Sequence, residues 1–212
     1  MNRKCRRDRF QHLLDFIRWP ILFLSLFIVV GCASSAEKKR QASQPLPSEL
    51  AKMRAALEKY KDPIAAVREG YLSMVGCIEY PSGGVGIRFL NTSLMSTVAN
   101  PDYPPILIYE PKGGQLRLAA AEWLIPVAMG VNEPPTLFEQ PLDGPMEGLH
   151  PLMPKEMVHY NLRMWLFKRN PAGLYSPTHP DVECPRTLTY RFEEKPPRLV
   201  KEEPPSPEPP PS

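Results

Sequence analysis

The sequence predicts an α+β domain in which two short N-terminal helices pack on an antiparallel β sandwich or small barrel, tied by one disulfide. Three observations predict it. Proline numbers 28 against 12 glycines, where ordinary usage gives about 10 prolines in a chain this long. Proline interrupts long helices and central strands, which argues against an all-helical bundle and a parallel-sheet enzyme fold. Helical periodicity is confined to one stretch, 48–73, and beyond Gly76 short extended runs alternate with turn residues. The composition, 42% hydrophobic and 23% charged over 212 residues, is that of one folded domain with tails. It excludes a wholly disordered chain and a multi-span membrane protein.

Residues 1–31 read as an export leader. Arg3, Lys4, Arg6, Arg7, Arg9 and Arg18 precede an apolar run over 20–30 broken only by Ser25. That run is about half the ~20 residues needed to cross a bilayer, so it reads as a signal peptide in preference to a membrane span. It ends in Val29-Val30-Gly31-Cys32, which resembles the lipobox of bacterial lipoproteins. The resemblance implies cleavage before Cys32, which then carries the lipids. Each buried CH₂ contributes about 0.8 kcal/mol, so several acyl chains anchor a protein permanently. The next residues are Ala33 and Ser34 instead of Asp; in Gram-negative lipoproteins this pattern implies the outer membrane, with the domain facing the periplasm.

Cleavage changes the charge. The chain carries 26 basic and 23 acidic residues, a net +3; the leader takes six and two with it, leaving 20 against 21, near −1. The apparent basicity is a targeting signal, and nucleic acid is not an expected partner.

The segment 32–47, small, charged and proline-bearing, reads as a flexible tether. The globular domain then spans 48–193. Ser48 is a suitable N-cap, and Leu50, Met53, Leu57 and Tyr60 share one helical face. Asp62 as N-cap and Pro63 at the first helical position start a second helix over 63–73, with Ile64, Val67 and Tyr71 on its inner stripe. Strands are expected at 86–90, 106–109, 116–125, 157–167 and 187–192. A hairpin turn lies at Pro111-Lys112-Gly113-Gly114. The density of Pro and Gly over 130–156 predicts a long ordered loop without regular structure. The tail 194–212, KPPRLVKEEPPSPEPPPS for most of its length, reads as disordered and polyproline-like.

Cysteine usage points to one bridge. Cys5 leaves with the leader and Cys32 is lipidated, so Cys77 and Cys184 remain. In an oxidising compartment they most simply form a disulfide. The competing arrangement is a catalytic thiol at Cys77 with His159 as its base, which requires that cysteine to be free.

Glu122 is the notable polar residue. Leu116, Leu118, Ala120, Glu122 and Leu124 share one face of their strand by the period of two. A carboxylate on that aliphatic face must be paired, protonated or open to water. Arg163, on the parity of Trp165 and Phe167, and Arg88, after Gly83-Gly84-Val85-Gly86, are its candidate partners. The alternative places each arginine at a sheet edge with its stem packed and its head in water. The Gly83–Gly86 run lacks the lysine and hydroxyl of a phosphate loop and reads as a turn. His150, His159 and His179 show no metal-ligand spacing, and no G-x-S-x-G elbow occurs. Trp123, Trp165 and Phe167 read as core residues. Asn170-Pro171-Ala172-Gly173 reads as a tight turn.

A set of short motifs carries a second resemblance: Gly84-Val85-Gly86-Ile87-Arg88-Phe89-Leu90-Asn91, Ile108-Tyr109-Glu110-Pro111, Glu122-Trp123, His159-Tyr160-Asn161-Leu162-Arg163-Met164-Trp165, Asn170-Pro171-Ala172-Gly173 and Asp181-Val182-Glu183-Cys184. Over 84–184 the chain is similar to a family of exported bacterial proteins with no assigned activity. The resemblance implies histidines at the positions of Arg88 and Arg163 and a glutamate at Glu122, a set suited to a metal. This chain departs at both histidines, and a guanidinium has no lone pair to offer. No cofactor is expected. If Arg88, Glu122 and Arg163 converge, one surplus positive charge remains, suited to an anion or a ligand carboxylate. Two functions lead the expectations, with a structural protein whose proline-rich tail touches cell wall or a partner as a third. The first is a membrane-anchored envelope lipoprotein whose non-enzymatic domain binds a small anionic ligand or an envelope protein. The alternative is an enzyme derived from a metal-dependent ancestor, with Glu122 as base.

Overall fold

A computed structural model of the chain describes residues 46–74, 76–148, 153–187 and 189–191. The leader 1–31, Cys32, most of the tether, His150 and the tail 194–212 lie outside the described residues. Among the described residues, no helix is long and apolar enough to cross a membrane.

Helix α1, Ser48–Leu57, continues as a 3-10 turn over Glu58–Lys61. Leu50, Met53, Leu57 and Tyr60 are all buried, as their spacing predicts. Its start differs from expectation. Pro47 occupies the cap position, its carbonyl accepting from the Ala51 N–H at 2.9 Å, and Ser48 is already helical. Helix α2, Pro63–Arg68, is capped as predicted, with the Asp62 carboxylate accepting from the Ile64 N–H at 3.0 Å. It ends earlier than the expected 63–73 span. The Gly70 and Tyr71 N–H groups close onto the Val67 and Ala66 carbonyls, with Gly70 at φ +94°. The expected inner stripe is also corrected: Ala66 and Tyr71 are buried, whereas Ile64 and Val67 are 57% and 47% exposed. With so short a helix, one small residue suffices to meet the sheet.

The remainder is mostly antiparallel sheet. The strands are β1 (Leu72–Ser73), β2 (Cys77–Tyr80), β3 (Gly83–Leu90), β4 (Ile106–Lys112), β5 (Gln115–Pro126), β6 (Thr136–Leu137), β7 (Gln140–Pro141), β8 (Asp143–Met146), β9 (His159–Met164) and β10 (Thr189–Arg191). An eight-stranded sheet runs in the order β10-β2-β3-β4-β5-β9-β8, with β1 also on β3; β6 and β7 form a separate pair. All of its neighbours are antiparallel except β10 on β2. β3 changes partners along its length. Its first half pairs with β2, and its second half, from Ile87, pairs with β4. Gly86 lies at the change with φ +99°, and a Cβ there would stand 2.6 Å from the Tyr109 carbonyl oxygen. Only glycine fits such a position.

Two expectations about chain segments are corrected. The Gly83–Gly86 run is strand and not turn; the turn is at Pro81 and Ser82. The segment 130–156 is not devoid of regular structure, because β8 pairs with β9 as the outermost strand. Pro145 is tolerated there because an edge strand has N–H groups with no ladder partner to lose. The hairpin at Gly113 and Gly114 joins β4 to β5, as predicted.

Both sheet faces are apolar. One buries Phe89, Leu107, Tyr109, Trp123, Ile125 and Leu162 against α1 and Tyr71. The other buries Ile106, Ile108, Ala120, Leu124 and Trp165 with Ile78, Val85 and Val182. A bulge in β5 sets which residue faces where. Tyr109 pairs with Leu118 but Ile108 with Ala120, so Ala119 is inserted. Leu118 therefore joins the first face and Ala120 the second. The single face expected for Leu116 through Leu124 is split at this point, and Glu122 lies on the second side. Trp123 and Trp165 are core residues, as expected.

The disulfide joins Cys77 on β2 to Cys184, with Cα atoms 5.5 Å apart and a sequence separation of 107. This excludes the catalytic thiol at Cys77.

Candidate functional site

Arg88, Glu122 and Arg163 come together although they lie on three strands. Glu122 on β5 faces Arg163 directly across the pair with β9. Arg88 on β3 pairs with Ile108, while Glu122 pairs with Ile106. The Arg88 side chain thus reaches diagonally across β4. In an antiparallel sheet, facing residues stand about 5 Å apart and share a side, which is why the cluster forms on one face.

The Glu122 carboxylate is flanked by four nitrogens. Oε1 accepts from Asn161 Nδ2 at 2.7 Å and meets Arg88 Nη2 at 3.1 Å. Oε2 accepts from Arg163 Nε at 2.8 Å and meets Arg163 Nη2 at 2.7 Å. The side chains are 0% exposed for Glu122, 6% for Arg163 and 12% for Arg88. Burial alone would raise the Glu122 pKa, but Arg163, Arg88 and the hydrogen bonds outweigh it and hold the group at about 2. Burial pulls Arg163 downward against the opposing pull of Glu122, yet a guanidinium stays protonated. Arg163 Nη1 also donates to the Pro177 carbonyl.

A strap over 174–184 lies against this face. His179 exchanges backbone hydrogen bonds with Gly84 at 3.0 and 2.9 Å, and a Cβ on Gly84 would lie 2.3 Å from the Val182 carbonyl oxygen. Trp165 Nε1 donates to the Ser176 carbonyl at 2.7 Å. His179 is wholly buried, and its Nδ1 accepts from the Asp181 N–H at 3.0 Å. The proton therefore sits on Nε2, which donates to the Arg169 carbonyl at 2.9 Å. Burial pushes its pKa down, so it is neutral. His159 is likewise lowered by burial, with Nδ1 donating to the Met157 carbonyl at 3.1 Å. Both histidines are engaged in holding the chain.

Chemically, the arrangement favours the ionised form of the Glu122 carboxyl. Two donor nitrogens flank each oxygen of Glu122, and none of its surface meets solvent. A cleft of about 490 Å³ opens elsewhere, lined by Glu110, Lys112, Asp181, Glu183 and Cys184 among others, and none of the three cluster residues lines it.

Sequence reasoning missed Asn161 and Tyr80. Asn161 is two positions before Arg163 and so shares its face by the strand period, a signal present in the sequence. Tyr80 is buried, and burial raises its hydroxyl pKa against the pull of Arg88 and Arg163. No local pattern placed β2 beside the cluster. Asn170 makes the predicted turn, its side chain accepting from the Ala172 N–H at 2.9 Å. No protein family, curated protein or solved structure matches this chain.

Proposed function

We propose that this chain is an envelope lipoprotein, cleaved before Cys32, lipidated there, and held at the outer membrane with its domain facing the periplasm. Its domain is a non-enzymatic module that binds a small ligand or an envelope partner. The observation that carries the non-enzymatic reading is the set of nitrogens from Asn161, Arg88 and Arg163 around the Glu122 carboxylate, which hold its pKa below the ordinary carboxylate range and make it a poor base. An enzyme using Glu122 as base would need the opposite. The anchored reading is supported by the lipobox-like Val29-Val30-Gly31-Cys32 and by the disulfide, which suits an oxidising exported compartment. The scaffold is read as a small sandwich or partly closed barrel, with β3 turning the corner at Gly86. The partner change along β3 and the burial of both faces support this.

The test is metabolic labelling of the full chain with a palmitate analogue in a Gram-negative host. The expected result is label and membrane retention, both lost in Cys32→Ser. A wild-type chain that is exported yet unlabelled contradicts the proposal.

A further inference from the structure

Among the described residues, the large hydrophobic side chains left exposed gather at one end of the eight-stranded sheet. Ile64 and Val67 lie one turn apart on α2, and Leu72 on β1 is 65% exposed. Val98, 67% exposed, and Tyr103 lie on the loop between β3 and β4. Met129 follows β5, and Met157 precedes β9. Register places these segments together. Leu72 pairs with Leu90 at the close of β3, and Leu90 with Ile106 at the start of β4. Pro126 at the close of β5 pairs with His159 at the start of β9. The C-terminal end of α2 is stitched to the same place. Asn91 Nδ2 donates to the Glu69 carbonyl at 2.8 Å, and the Tyr71 hydroxyl to the Pro104 carbonyl at 2.7 Å. The opposite end, with the turns at Ser82 and Gly113, has none of these exposed side chains. Exposed apolar groups collected in one place mark a surface that is covered in use.

We propose that this end of the domain docks on the lipid surface that holds the anchor, with Ile64, Val67, Leu72, Val98 and Tyr103 entering the interface. Tether length points to that occupant. The 13 residues between Cys32 and Leu46 reach at most about 45 Å when extended, against a width of about 40 Å for a domain of this size. Every face can therefore meet the membrane, and at the millimolar effective concentration that a short tether imposes, shallow insertion suffices to choose one. The form of the surface agrees. Its apolar side chains stand on separate segments with exposed polar residues such as Ser96, Thr97 and Asp102 between them. A protein partner needs a close-packed, complementary patch, whereas fluid lipid makes no demand on shape. Tyr103 at the rim suits the headgroup level. Charge is not the attraction: Arg68 and Lys155 stand beside Glu69, Asp102 and Glu156. Docking therefore rests on apolar burial and needs no anionic lipid. This inference rests on the anchored reading and adds the face that the domain turns to the membrane.

The experiment uses the lipidated chain in phosphatidylethanolamine vesicles, with and without phosphatidylglycerol. With Cys32 acylated and Cys77 bonded to Cys184, an introduced cysteine is the free thiol of the mature chain. Val98→Cys, Leu72→Cys and Lys112→Cys each carry a fluorophore, and quenching by spin-labelled lipid is recorded. Quenching at Val98 and Leu72 should exceed that at Lys112 by at least about threefold, since apolar insertion buries only the first two. It should be the same at low and high salt and should not grow with phosphatidylglycerol. Val67→Ser with Tyr103→Ser should reduce the Val98 signal and leave Tm unchanged, as both positions are exposed. Should that variant not fold, the comparison of Val98 with Lys112 in the otherwise unchanged chain decides alone. Equal quenching at both ends, or a signal abolished by salt, overturns the proposal. So does protection at Val98 that rises with protein density on the vesicle, which marks a second copy as the occupant. Flotation reads the anchor separately. A chain that floats with Val98 unquenched overturns this inference and leaves the anchor standing, whereas one that does not float overturns the anchored reading and this inference with it.

Discussion

Arg163 grips one oxygen of Glu122 with two nitrogens, Nε at 2.8 Å and Nη2 at 2.7 Å, directly across a pair of antiparallel strands. Both residues are buried, so neither charge can turn to water if the other is removed. Arg163→Met should therefore cost about 3–5 kcal/mol, the usual penalty for stranding one half of a buried ion pair. Arg88→Met should cost less, since it makes one longer contact and surrenders a surplus charge. The triple replacement Arg88→Met, Glu122→Leu, Arg163→Met should recover most of the loss. Urea unfolding of the four proteins checks the order. A triple variant no better than Arg163→Met alone contradicts it.

Acid should weaken the fold in two stages. His159 and His179 are neutral in the fold, with pKa values lowered below their ordinary 6.5. The stability they contribute is complete above that value and is lost as pH falls below it, because the unfolded chain binds protons first. Glu122 acts lower. Its folded pKa is about 2 against an ordinary 4.5, so its contribution is present above 4.5 and declines as pH falls toward 2. The difference corresponds to roughly 3 kcal/mol. Asp143, whose pKa is raised by burial, acts in the opposite sense. Denaturant midpoints from pH 8 to pH 3 should fall monotonically; a maximum below pH 5 contradicts this.

The disulfide closes a loop with a separation of 107 residues and holds the end of the strap near Val182. The chain-entropy argument values such a closure at about 4.7 kcal/mol, an upper figure. Cys77→Ser with Cys184→Ser should lower stability by about 2–4 kcal/mol. Hydrogen exchange should rise first at the His179 and Gly84 amides. Uniform loosening of α1 in place of the strap contradicts the assignment of that role.

Glycine substitutions separate contact from conformation. Gly84→Ala places a methyl 2.3 Å from the Val182 carbonyl oxygen, so the strap must lift, at a cost of about 2 kcal/mol or more. Gly113→Ala meets nothing within 4 Å but sits at φ +60°, so it should cost about 1 kcal/mol. Thermal shifts of the two variants test the ranking.

Much of this arrangement was readable from the sequence, but unevenly. The α1 face, the Asp62 cap and the Gly113-Gly114 hairpin depend on neighbours within one turn or one strand, and all three are in the structure. The pairing of Glu122 with Arg163 depends on register between strands about forty residues apart, and local spacing supplied only the parity of each. Parity itself failed at Ala119, because a bulge depends on the partner strand and leaves no clear residue signature. β8 was hidden because Gly144 and Pro145 break the alternation that marks a strand, although an edge tolerates both. Ile64 and Val67 show the reverse error: a helical stripe was present, but α2 is too short to bring it to the sheet.

The central claim is that Glu122 is a permanently ionised, fully bonded carboxylate. A carboxyl ¹³C NMR titration of the folded protein tests it most directly, with Glu122→Gln assigning the resonance. No movement of that signal is expected between pH 7 and pH 4, with ionisation persisting toward about 2. A midpoint at or above the ordinary 4.5 contradicts it and restores Glu122 as a group able to exchange protons.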